Sequence, residues 1–118
     1  TREARGKASA AQAEIDSLEF RIRLLRDQIE ADIRRALLNL EATRRMEQYA
    51  LDELALSRTL AEAEQQRFDA GISDFFLLNV RERQVGEAQL KRWQAYLAHQ
   101  VALASYYGAT MQLQGFGL

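Results

Sequence analysis

His99 is the only imidazole in these 118 residues, so metal-ion or acid-base chemistry would have to begin from it, or from serines and carboxylates. A di-metal site in a helical bundle uses Glu-x-x-His on one helix face, yet Tyr96 stands three residues before His99. With no second histidine and no cysteine, a zinc or copper centre lacks ligands, and neither a metal nor a cofactor is expected. Serines 9, 17, 57, 73 and 105 have no base at a workable spacing, and no glycine-rich phosphate loop occurs. Carboxylates are plentiful, but a solvated helical surface offers no pocket to perturb them. No catalytic residue is expected, the chain does not read as an enzyme, and His99 reads as an ordinary polar helix residue.

The aromatic residues offer binding rather than catalysis. Trp93, Tyr96, Tyr106 and Tyr107 have helical spacing and are expected to pack between helices. Phe75 and Phe76 are adjacent, so their rings point in different helical directions. At most one is expected to face a partner arm, leaving the other for a protein partner. Just before them, Arg67-Phe68-Asp69-Ala70-Gly71-Ile72-Ser73-Asp74 has the composition of a turn between helices. Gly71 suits the left-handed position after a helix end, and Ser73 or Asp74 suits the cap of the next helix.

The elements that carry these residues follow from what is absent. There is no proline, and residues 8–70 contain no glycine. The expected fold is all-α: a first helix over 8–70, a turn at 71–74, a second helix over 75–108 and a linker over 109–118, forming one long antiparallel helical hairpin. At ~1.5 Å per residue the arms would be roughly 95 Å and 50 Å long, so one must overhang. The net charge of -1 gives no basic face for nucleic acid. Most arginines sit near acids, with Glu19–Arg23, Glu30–Arg34, Glu41–Arg45 and Glu87–Lys91 in the order that supports an exposed helix. Absence of cysteine excludes disulfides without fixing a compartment. The start, Thr1 to Lys7, has neither an initiator methionine nor an apolar signal core, and the chain reads as excised from a longer protein. Phe75 to Leu78, the longest apolar run, is far short of the ~20 residues of a membrane span.

Within the first arm Ile15, Leu18, Ile22, Leu25 and Ile29 form a heptad seam. Leu18, Ile29, Leu40 and Leu51 then recur every eleven residues, which predicts a change of phase. The first arm becomes alanine-rich from Ala50 to Ala70, and the second answers with Ala88, Ala95, Ala98, Ala102 and Ala104, where helix axes can come close. Folding about Gly71 predicts the core pairs Leu54–Leu90, Ala50–Trp93, Met46–Leu97 and Leu40–Leu103. The seam from Ile15 to Ile29 is left without a partner, and self-association is expected.

Arg67-Phe68-Asp69-Ala70-Gly71, the apolar stretch Phe75 to Leu78, and an alanine-rich helix ending Tyr106-Tyr107-Gly108 resemble the second structural repeat of the TolC-type outer-membrane efflux proteins. Arg5-Gly6-Lys7 and Ile29-Glu30-Ala31-Asp32-Ile33-Arg34-Arg35-Ala36 resemble the place where such proteins leave the β-barrel for the α-barrel. Two positions depart from the family pattern: Leu77 where an Asp is frequent, and Arg81 where a small residue is frequent. The resemblance implies a fragment of an α-barrel in a homotrimer, in the periplasm of a Gram-negative bacterium. Contact with the outer membrane would be made only by a β-barrel outside these residues. It also implies that the tip, Arg67, Phe68, Gly71, Ser73, Asp74 and Phe75, docks to a periplasmic adaptor protein joined to an inner-membrane pump. A hairpin of an adaptor protein and a cytosolic structural coiled coil are the alternatives.

Overall fold

The computed structural model describes residues 1–115 and 117, and its two helices are α1, Arg2–Asp69, and α2, Phe75–Gly115. Thr43 lies opposite His99, Glu53 opposite Lys91 and Glu64 opposite Arg81, so the helices run antiparallel about the turn between them. This is the all-α hairpin. It measures 104 × 22 × 13 Å, a length that one 68-residue helix accounts for at ~1.5 Å per residue.

Both helices extend beyond their expected ends. α1 starts at Arg2 and passes through Gly6, because the Thr1 hydroxyl caps it by accepting from the Ala4 amide at 3.3 Å. A cap is worth about 1 kcal/mol, similar to the cost of one glycine inside a helix. α2 likewise passes through Gly108, so residues 109–115 are helix and not a linker; Phe116 and Leu118 lie outside the described residues. The cause is packing, since Ala109, Thr110 and Leu113 continue the half-buried face, and the Thr110 hydroxyl donates to the Tyr106 carbonyl at 2.7 Å.

The seam between the helices is written in heptads. On α1 the residues turned inward are Ile29, Ala36, Thr43, Ala50, Ser57 and Glu64, with Ile33, Leu40, Glu47, Leu54 and Ala61 between them. On α2, Ala88, Ala95 and Ala102 are buried at seven-residue steps, with Ala102 only 1% exposed. Small side chains let two helices approach closely, and the few large ones, Leu54 and Leu78, fill the gaps. The expected register about Gly71 is close to the observed one, and Leu40 and Leu103 are both half-buried as expected, but the other three expected pairs each have a member outside the core. Met46, Leu90, Trp93 and Leu97 point outward, and Trp93 is 62% exposed. Side-chain volume favoured the leucines; close approach selects the alanines one face away.

At Ile29 the seam steps by four residues on both sides, from Leu25 and to Ile33. Two consecutive fours are a stutter, which turns the apolar line out of phase with what precedes it. Ile29 itself is buried at 5% exposure, against expectation, because the longer α2 reaches it. Residues 1–28 are exposed throughout, including Ile15, Leu18, Ile22 and Leu25.

Candidate functional site

The turn is a Schellman motif built on Gly71. Its φ is +77°, its amide donates to the Phe68 carbonyl at 3.0 Å, and the Ile72 amide donates to the Arg67 carbonyl at 2.9 Å. Ala70 is the last residue in right-handed geometry. Asp74, not Ser73, caps α2: its Oδ1 accepts from the Leu77 amide at 2.7 Å. The Ser73 hydroxyl is buried without a protein partner.

Around this turn the apolar side chains gather outward. Phe68 and Phe75 meet across it with ring centroids 6.3 Å apart and planes tilted by 54°. Phe76 is 74% exposed, and Ile72 is exposed beside it. Of the two adjacent rings, Phe75 touches Phe68 of the opposite arm while staying mostly exposed, and Phe76 faces solvent, in keeping with their different helical directions.

Beneath the rings lies a charged cluster that the sequence did not single out. The Glu64 carboxylate is buried on the seam, with the Arg67 Nε at 3.4 Å and the Arg81 Nε at 3.9 Å from its two oxygens. Arg81, six residues into α2, thus meets a carboxylate of α1 across the seam. Its signal was positional, because Glu64 and Arg81 both fall on the heptad rows of Ala50, Ser57 and Ala88, Ala95. Of the two guanidinium groups only Arg81's comes from the other helix, so that contact alone bears on the register of the arms. Of the candidate tip residues, Gly71 and Asp74 shape the turn, Phe68 and Phe75 stack over it, Arg67 reaches Glu64, and Ser73 sits half-buried between the helices.

His99 is a polar helix residue half-buried at the seam. Its Nδ1 lies 3.2 Å from the Thr43 hydroxyl, which also lies 2.9 Å from the Asn39 carbonyl. A hydroxyl has one proton, so Nδ1–H donates to Thr43 when that proton goes to the Asn39 carbonyl, and Nδ1 accepts from Thr43 in the other tautomer. Among the described residues no group of three or more His, Cys, Asp or Glu is placed to hold a metal ion. No helix among them is long and apolar enough to cross a membrane.

A second surface concerns neighbours. On the side of α2 turned away from α1, Leu90, Leu97, Ala104 and Met111 recur at seven-residue steps, flanked by Trp93 and Tyr107, all exposed. Trp93 and Tyr96 meet edge to face at 6.0 Å, and Tyr106 and Tyr107 lie 6.0 Å apart. Three of these four aromatic residues are exposed, so they do not pack between the arms as expected; Tyr106 alone is half-buried. Of the expected ion pairs along one helix, Glu41–Arg45 forms at 3.9 Å, whereas Lys91 turns away from Glu87 to meet Glu53 across the seam at 3.1 Å.

No family model, no curated protein and no solved structure matches this chain, so the likeness to the TolC-type proteins rests on its own residues.

Proposed function

We propose that this chain is the periplasmic tunnel segment of a trimeric outer-membrane export channel, with its tip docking to a periplasmic adaptor protein of a multi-component pump. The observation that carries the reading is the second apolar heptad row on α2, Leu90, Leu97, Ala104 and Met111, on the side opposite α1. A helix with seams on opposite sides needs a neighbour on each, and repetition of that arrangement builds a wall of parallel and antiparallel helices. Closing such a wall makes a tunnel. The exposed Ile72, Phe75 and Phe76 at the tip then form an apolar end face suited to a protein partner.

In this reading the segment conducts nothing alone and catalyses nothing. Its work is to supply wall and docking surface, while membrane contact belongs to strands outside these residues. Fractionation of the intact protein from Gram-negative envelopes tests the proposal. Recovery with outer-membrane markers as a trimer supports it; recovery with soluble cytosolic markers overturns it.

A further inference from the structure

The first 28 residues of α1 form a helix with no partner, and their apolar face has a composition that selects one. Ile15, Leu18, Ile22 and Leu25 continue backward as Ala11, Ala8 and Ala4, so the row is large at one end and small at the other. All of these side chains are exposed. A row graded in this way is matched by a copy of itself running the opposite way. Leu25 then meets Ala8, Ile22 meets Ala11, and Ile15 meets Leu18 at the centre.

The flanking charges choose the direction and the register. In an antiparallel pair the residues preceding the first heptad position face the same class of residue on the second helix, and here those are Lys7, Glu14, Arg21 and Gln28. The graded register sets Glu14 opposite the second copy's Arg21, and symmetry forms that contact twice. Glu14, Leu18 and Arg21 line one shallow groove of α1, so both charges border the apolar row. A parallel pair would instead set Glu14 against Glu19 and Arg21 against Arg26. Sliding the antiparallel pair one heptad further together sets Arg21 against itself and drives the second helix into the place α2 occupies. Sliding it one heptad apart sets Glu14 against itself and Arg21 against Lys7. The favoured register leaves one kind of opposing contact, Arg26 with the second copy's Arg5, formed twice by the same symmetry but at the outer ends where solvent screens it.

We propose that two free copies of this chain pair antiparallel through Ala8 to Leu25 of α1, each overhang covering the other. The pair stops where α2 begins to cover the seam, near Ile29. Copies in one channel all point the same way, so this pairing belongs to the unassembled chain, and it stands or fails independently of the channel reading.

Sedimentation equilibrium of the 118-residue chain and three charge variants tests it. Glu14→Arg and Arg21→Glu each turn two attractive contacts into repulsive ones, and each is expected to weaken dimerisation roughly tenfold. The double variant regenerates both contacts and restores wild-type dimerisation to within about threefold. Neither side chain has an opposite charge three or four residues away on its own helix, so the helix itself is not the variable read. Leu18→Ser is expected to give monomers that remain helical. Tighter association of the single variants indicates a parallel pair and overturns the proposal. So does wild-type behaviour in all three charge variants, or a monomeric wild-type chain up to about 1 mM.

Discussion

Replacing Gly71 isolates the cost of backbone conformation, because a Cβ built there meets nothing within 4 Å. Steric clash is thus removed from the comparison, and φ of +77° remains. An L-residue in the left-handed region loses about 1–2 kcal/mol, and a β-branched one about 1–3 kcal/mol. Against this, losing glycine's freedom in the unfolded chain returns about 0.4–1 kcal/mol. The expected order of stability is Gly71, then Asn, Ala and Val, with Ala down by up to about 1.5 kcal/mol and Val by up to about 2.5 kcal/mol. Asparagine does best among the substitutes because its short polar side chain visits this region readily. Circular-dichroism melts at one fixed protein concentration read the global effect, a loss of several degrees for Val. Hydrogen exchange at the Ile72 amide reads the local one, since that amide donates to the Arg67 carbonyl at 2.9 Å. A valine variant with unchanged melting and unchanged Ile72 protection would refute the assignment of the turn to a position that requires glycine's positive φ.

Three further outcomes follow from the seam and the tip. Ala102→Leu inserts a large side chain at a residue 1% exposed and should cost about 1–3 kcal/mol in urea unfolding. Arg81→Ala leaves the buried Glu64 with Arg67 alone and should destabilise measurably, whereas Glu64→Leu with Arg81→Met should be near neutral or stabilising in the same assay. Arg67→Ala removes the nearer partner of the buried Glu64 and should also destabilise measurably in the same assay, and under the proposed channel reading it should reduce export by the intact protein at normal outer-membrane levels.

The hairpin was legible because glycine and proline are so sparse that Gly71, followed by Ser73 and Asp74, was the one strong turn signal. That position also fixed the approximate register. The packing face was legible on much of α1, at Leu40, Ala50 and Leu54, but less so on α2, which carries two heptad rows: the larger residues, Leu90 and Leu97, look like core, while Ala88, Ala95 and Ala102 permit the close approach that the helices adopt. The helix ends were misread for a related reason. Gly6 and Gly108 look like boundaries locally, but a cap at Thr1 and continued packing at Ala109 and Leu113 outweigh one glycine each. At the tip, the stack of Phe68 on Phe75 and the cap at Asp74 follow from local chemistry. The Glu64–Arg81 pair does not, because the two residues lie in different helices and meet only once the register is known.

Photo-crosslinking from position 76 of the intact protein in living cells tests the central claim most directly. Phe76 is 74% exposed at the tip and makes no contribution to the turn's hydrogen bonds, so a benzophenone side chain there should be tolerated. The expected result is a single covalent adduct with a periplasmic adaptor protein, formed in the outer-membrane fraction and lost when the adaptor is deleted. A protein present at normal level that crosslinks to no periplasmic partner, or that crosslinks only to cytosolic proteins, would contradict the account.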